Sequence, residues 1–327
     1  MAELFNTENS IKKPVSGHLK EAICFSDVSK SYKNILALNN ISLSINKGEL
    51  FGLIGPDGAG KTTLMRILVT LLLPDSGEIK INGLDVVKSF KKIRQIVGYM
   101  TGHFSLYQDL TVEENLNFFA TVFGTTVSEN YDQIREIYHQ IEPFKKRRAG
   151  KLSGGMKQKL ALSCALIHKP EILVLDEPTT GVDAVSRKEF WEMLKKLQKK
   201  GITIIVSTPY MDEATLCNRI ALIQKGKIMD VDTPNGIIEK FPRKIILAGA
   251  NDLYRLITDL RTYNKAESVF AFGKFVHFTG INDAVTVAEL RDYLKKRNHT
   301  NIMVKTITPG IEDIFMALET QHDGTNN

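Results

Sequence analysis

The sequence predicts an α/β fold with a small α+β domain at its C-terminal end, and three observations carry that prediction. Gly55-Pro56-Asp57-Gly58-Ala59-Gly60-Lys61-Thr62-Thr63 fits the pattern G-x-x-x-x-G-K-[ST] without a mismatch, between an apolar strand over 50–54 and a helix over 62–72. Ile172-Leu173-Val174-Leu175-Asp176-Glu177-Pro178 is a second apolar strand, ending in two carboxylates roughly 115 residues after Lys61. Beyond 234–242 the rhythm changes to βαββαβ with one more helix, the order of a ferredoxin-like split βαβ unit.

Along the chain, alternation in Ala22-Ile23-Cys24-Phe25 and Ile41-Ser42-Leu43-Ser44-Ile45 predicts antiparallel strands between Glu21 and Gly48. The strand at 50–54, the glycine-rich loop and its helix come next, then a strand over 77–81 closed by the turn Asn82-Gly83. Residues 110–151 are helix-rich, with helical apolar periodicity in 112–122 and 131–141. A further helix runs to His168, and strand 172–175, helix 186–200 and strand 203–207 restore the α/β alternation. The last part reads as strand 244–248, helix 252–262, strands 268–272 and 275–279 joined at Gly273-Lys274, helix 286–297, strand 302–306 and helix 310–319.

A strand, a glycine-rich loop and a helix N-terminus make an anion site from backbone alone. The loop N–H groups point inward and the helix dipole favours negative charge; Lys61 reaches outer phosphates and the Thr62 hydroxyl offers an oxygen to Mg²⁺. This reads as a nucleoside triphosphate site. At the second strand, Asp176 is placed to hold Mg²⁺ through water and Glu177 to polarise a water attacking the γ-phosphate.

With 327 residues and 43% hydrophobic content, the chain is long enough for two domains with real cores. The net charge of +6 comes largely from scattered clusters such as Lys145-Lys146-Arg147-Arg148, which read as solvated helix faces. Nucleic acid is not an expected partner. Cys24, Cys164 and Cys217 have no metal-ligand spacing and suit a reducing compartment. No apolar run reaches the length of a membrane span; the longest, 67–73, stops at Pro74. The polar segment 1–17 lacks the order of a signal peptide. The expected location is cytoplasmic, and a membrane process would need another chain to cross the bilayer.

Upstream of the second strand lies Leu152-Ser153-Gly154-Gly155-Met156-Lys157-Gln158. The phosphate loop, a helical segment, Leu-Ser-Gly-Gly and then Leu-Asp-Glu-Pro-Thr, in this order, resemble the ATP-binding cassette (ABC) ATPases over residues 21–240. The resemblance implies a RecA-like core, an antiparallel β-subdomain and a helical subdomain at about 104–155. The chain then divides into a tail over 1–19, a cassette over 20–240, a C-terminal domain over 243–319 and a flexible tail over 320–327. By resemblance, Tyr32 matches the aromatic that stacks on adenine. Ser153, Gly154 and Gly155 match the signature that caps the γ-phosphate of ATP on a partner cassette, in a head-to-tail dimer around two nucleotides. Gly181-Val182-Asp183 matches the loop crossing that interface. The wording at Phe104-Ser105-Leu106-Tyr107, Leu110 to Leu116, Tyr210 to Ala214 and Ile307 to Phe315 resembles ATP-binding subunits of bacterial type 2 ABC exporters. Those subunits serve a separate membrane permease, and their place is the inner face of the cell membrane.

Two positions depart from the family. The Gln expected after Gly98-Tyr99-Met100-Thr101 is Gly102, and the switch His expected after Ser207-Thr208 is Pro209. His103 and Gln108 are the nearest candidates to compensate, but a neighbouring side chain in an extended segment points the other way and Gln108 lies in the following loop. The expectation is MgATP binding with slow turnover at this chain's own site, and an intact signature that completes a sister chain's site, a heterodimer being favoured over a homodimer. The competing functions are a non-transport ABC protein of translation or DNA repair and a regulatory nucleotide-binding module.

Overall fold

Short apolar runs bounded by turn residues become fully buried strands here, and alternating ones become half-covered sheet. The computed structural model describes residues 20–241 and 243–324, so the tail expected over 1–19 lies outside the described residues. Among the described residues β1 (Glu21–Tyr32) and β2 (Ile35–Asn46) come first, and β3 (Leu50–Ile54) leads through the phosphate loop to α1 (Lys61–Leu68). β4 (Ser76–Ile81), β5 (Leu84–Asp85), α2 (Phe90–Ile96) and β6 (Val97–Met100) follow, then α3 (Val112–Val122), α4 (Val127–Tyr138) and α5 (Gly154–Leu166). β7 (Ile172–Asp176), α6 (Ala184–Lys199), β8 (Thr203–Thr208), β9 (Arg219–Gln224), β10 (Lys227–Asp232) and α7 (Pro234–Glu239) complete the larger part. The remainder is β11 (Ile245–Gly249), α8 (Leu253–Arg261), β12 (Ala266–Phe272), β13 (Phe275–Gly280), α9 (Val287–Lys296), β14 (Met303–Ile307) and α10 (Ile311–Gly324).

A six-stranded sheet in the order β10-β9-β3-β8-β7-β6 forms the centre. β3 runs parallel to β8 and β9, and β7 runs parallel to β8 and β6. Every residue of β3, β7 and β8 is buried, as expected of parallel strands covered on both faces. Side chains alternate between the faces. Phe51, Leu53, Val174 and Ile205 pack with α1 and the antiparallel sheet β2-β1-β4-β5, whereas Leu50, Ile54, Leu173, Leu175 and Val206 pack with α5 and α6.

The helical part begins twice with Thr-x-x-Glu. Thr111 with Glu114 and Thr126 with Glu129 each form a reciprocal capping box, which fixes the starts of α3 and α4. α1 is shorter than the 62–72 predicted. Thr70 takes a left-handed φ of 63°, and Arg94 holds its hydroxyl and carbonyl at 2.7 and 3.0 Å, so the chain turns away before Leu72.

The C-terminal sheet has the order β12-β13-β11-β14 with antiparallel pairing throughout, the ferredoxin-like arrangement expected from the element order. α8 and α9 cover its apolar face. α10 behaves differently. The sequence groups 310–319 with this domain, yet Ile311, Ile314 and Phe315 lie in the cassette core beside Ala214 and Ile237. Their 3- and 4-residue spacing makes one apolar helix face, and that face has found the cassette. The helix also runs to Gly324, past the 319 at which the sequence reading ends it and into the tail expected over 320–327.

Candidate nucleotide site

The site sits at the carboxyl ends of four adjacent parallel strands, where ligands of open α/β sheets bind. β3 delivers the phosphate loop, β8 delivers Ser207, Thr208 and Pro209, β7 delivers Asp176 and Glu177, and β6 runs on to Gly102. Register places Ile54 beside Thr208 and Asp176 beside Ser207, so β8 stands between the loop and the two carboxylates.

The loop needs its glycines. Gly58 and Gly60 have φ of 77° and 105°, the left-handed region that glycine enters without a Cβ penalty. At Gly55 a Cβ would stand 2.1 Å from the Ile223 carbonyl oxygen, so the backbone passes too close for any side chain. Pro56 accepts the Ala59 N–H at 3.2 Å, and Ala59 is buried. The Asp57 side chain is exposed, and Thr63 is half-buried one turn into α1.

Lys61 is 3% exposed, and its Nζ donates to the Gly55 and Pro56 carbonyls at 2.8 and 3.0 Å. Its third partner is Glu177, with Oε1 at 3.1 Å. The ammonium that would grip phosphate thus faces the carboxylate that would polarise water. Thr62 Oγ1 donates to Asp176 Oδ1 at 3.2 Å, and Asp176 is 3% exposed. A hydroxyl and a buried carboxylate this close form a hard oxygen set suited to Mg²⁺. Among the described residues there is no cluster of three or more His, Cys, Asp or Glu that could hold a metal on its own, so phosphate oxygens and water would complete any such shell.

Gly102 lies beside these groups. A Cβ there would be 3.2 Å from the Asp176 carbonyl oxygen and 3.7 Å from Glu177 Cβ, so position 102 abuts the backbone that carries the two carboxylates and brings no side chain to it. His103 lines a separate cavity with Thr101, Phe104 and Gln158, and Gln108 packs against Gly150. Pro209 follows the buried Thr208 and supplies neither an N–H nor a side-chain donor.

Tyr32 ends β1, 42% exposed, and pairs with Ile35 across the hairpin. The hairpin reaches the phosphate loop through β2: a Cβ on Gly60 would lie 2.5 Å from the Ala37 carbonyl. Ser153 caps α5 by accepting the Met156 N–H, leaving the first N–H groups of that helix at the signature. Gly154 and Gly155 pack against Gly181 and Ser186, and Asp183 caps α6 by accepting from Val185 and Ser186. The Ser186 N–H and hydroxyl, and then the Val185 N–H, hold the Asp183 carboxyl below the usual range. The signature is therefore built onto α6, while Lys61, Thr62, Asp176 and Glu177 converge at the strand ends.

Sequence reasoning missed the polar groups behind the carboxylates. Glu213, 1% exposed, accepts from Thr179 Oγ1 at 2.7 Å and Thr208 Oγ1 at 2.5 Å, with Arg187 Nε at 3.8 Å. Ser207, fully buried, donates to Asp176 Oδ1 at 2.6 Å. The Thr179–Glu213 and Ser207–Asp176 contacts span more than thirty residues of sequence, so no local pattern marks them. All three cysteines are free; burial raises the Cys164 thiol and pushes Cys217 to about 12.

Residues 38–180 match the ABC transporter family. The chain is 40% identical over 214 residues to the probable multidrug ABC transporter ATP-binding protein YbhF of Escherichia coli (strain K12), a match covering 64% of this chain. It spans only 37% of that relative's length. It is 34% identical over 304 residues to the Nod factor export ATP-binding protein I of Rhizobium sp. (strain N33), covering 91% of this chain and 97% of the relative. Among solved structures, the dimeric, post-hydrolysis state of the ATP-binding cassette MJ0796 bound to ADP and Pi aligns at a TM-score of 0.59 and 28% identity, over 64% of this chain and 98% of that one. The cbiO1 structure from Clostridium perfringens, part of the ABC transporter complex cbiONQ, aligns at 0.61 and 26% identity, over 68% and 92% of the two chains. Motif order, site geometry and likeness over nearly the full length of a relative agree: the chain belongs to the ABC transporter family and carries its ATP-binding, ATPase-type cassette.

Proposed function

We propose that the chain is the ATP-binding subunit of an exporter. It binds MgATP through Lys61, Thr62, Asp176 and the phosphate-loop backbone, with Tyr32 against the adenine, and hydrolyses it slowly at this site. The observation that carries the slow-turnover reading is Gly102, whose missing side chain would project at Asp176 and Glu177. Pro209 removes a second side chain, at the end of β8. Bound Mg²⁺ would neutralise charge on the phosphates, with Thr62 and Asp176 as its protein partners. Because Glu177 occupies Lys61 in this structure, incoming phosphate has to displace a carboxylate, which frees Glu177 to face the attacking water.

Ser153, Gly154 and Gly155 complete the site of a second cassette in a head-to-tail dimer. An intact signature beside an incomplete own site favours a heterodimer. The exporter reading leans on the multidrug and Nod-factor-export names of the two relatives. No helix among the described residues is long and apolar enough to cross a membrane, so translocation falls to a separate permease. A cavity of about 500 Å³ between β6 and the helices α3 and α5 supports such a partner, with Phe104, Leu106, Phe119, Val122 and Phe123 giving an apolar lining. That contact would hold the subunit at the inner face of the cell membrane.

The test is purification of the tagged chain from native membranes with its partners, followed by mass spectrometry. A permease and a sister cassette carrying Gln and His at the two equivalent positions are expected. Recovery of a homodimer with brisk ATPase activity and no membrane partner would falsify the reading.

A further inference from the structure

One hydroxyl, that of Ser207, bonds both the Asp176 carboxylate and the Glu177 backbone N–H. Glu177 has a φ of 48°, a left-handed conformation that is unfavourable for a residue with a side chain and needs support from its surroundings. Its N–H donates to both the carbonyl oxygen of Ser207, at 3.1 Å, and the Ser207 hydroxyl, at 3.0 Å. The same hydroxyl has one proton, and it goes to Asp176 Oδ1 at 2.6 Å. Oδ1 is also the atom that Thr62 Oγ1 approaches at 3.2 Å. Ser207 is completely buried, so no water competes for either bond.

We propose that Ser207 is a positioning residue for the metal and the attacking water. Its hydroxyl donates to Asp176, fixing which carboxylate oxygen faces the Mg²⁺ held with Thr62, and accepts from Glu177, keeping that residue in the turn that aims its side chain at the phosphates. Only a hydroxyl does both from this position: alanine does neither, and threonine keeps the oxygen. Gly102 makes the task weigh more, because position 102 gives the metal side of the site no side chain of its own. This inference rests on the reading that the site binds MgATP.

The experiment titrates MgCl₂ into the full-length chain with a fluorescent ATP analogue and repeats the nucleotide titration in EDTA. In Ser207→Ala the Mg²⁺ concentration for half-maximal binding should rise about tenfold, the scale of one lost hydrogen bond to a charged group. Affinity in EDTA should stay within about twofold of the original, and Ser207→Thr should restore the Mg²⁺ response. A merely structural serine would instead lower binding equally with and without Mg²⁺. The inference is overturned if Ser207→Ala gives the unaltered Mg²⁺ curve, if its loss is the same in EDTA, or if Ser207→Thr is as impaired as alanine. Should Ser207→Ala fail to fold, Ser207→Cys, with its weaker donor, must show the same Mg²⁺-selective loss in smaller degree, and its absence also overturns the inference. If the unaltered chain itself binds the analogue without any Mg²⁺ effect, the MgATP reading falls and takes this one with it.

Discussion

At the phosphate loop, Lys61, Thr62, Asp176 and Glu177 converge within hydrogen-bonding reach, but positions 102 and 209 carry glycine and proline. At the signature, Ser153 caps α5, Gly155 sits tightly on Ser186 of α6 and Gly154 lies against Gly181, so the Ser-Gly-Gly of the signature is present in full. The difference separates two tasks that one cassette performs. Holding ATP uses the loop backbone and Lys61, which are intact, whereas driving hydrolysis also uses groups that sense the γ-phosphate, and those are missing on one side only. On the proposed reading, a chain built this way would serve a partner's site better than its own.

The sharpest way to break this contrast is Lys61→Ala. It removes the phosphate contact and leaves Glu177 without its cation, so ATP affinity should fall by about two orders of magnitude or more in a fluorescence titration. Retained tight binding would place the nucleotide elsewhere. Next in size is Gly155→Ala. Its Cβ would stand 2.6 Å from Ser186 Oγ and 2.8 Å from Ser186 Cβ, forcing α5 from α6 at a cost of about 1–3 kcal/mol. Thermal stability and activity with a sister cassette should drop, while ATP binding to the chain alone stays the same. Equal loss of binding would mean that the two ends are not separable.

The smallest effect belongs outside both ends. Burial, and then the neighbouring Asp313 carboxylate, push Glu312 above the usual carboxylate range. A group raised on folding favours the folded state at pH below its unfolded pKa, and that contribution is lost as pH rises through the folded pKa. Glu312→Gln should therefore raise Tm slightly at neutral pH, lose that advantage in acid and leave ATP binding untouched. A Tm difference that grows as pH falls would reverse the sign.

Much of the architecture was legible because it is local. The phosphate loop has a fixed spacing, the buried strands are unbroken apolar runs, and the βαββαβ order named the C-terminal sheet before its pairing was known. Gly102 and Pro209 stood out for the same reason, as substitutions inside short motifs. What stayed hidden was long-range. Ser207 and Glu213 matter through partners some thirty residues away, and α10 shows its allegiance only by packing on Ala214 and Ile237. An amphipathic helix declares that it has an apolar face, not which core will take it.

On the proposed reading, this site grips ATP tightly and turns it over slowly. Steady-state phosphate release and ATP affinity, measured on the same samples of the purified chain and of Gly102→Gln with Pro209→His, test it most directly. Tight MgATP binding in both, slow turnover in the unaltered chain and a rise of roughly 10–10² on restoring the two side chains are the predicted results. Brisk, ATP-saturable turnover by the unaltered chain alone, unchanged by the two substitutions, would contradict it.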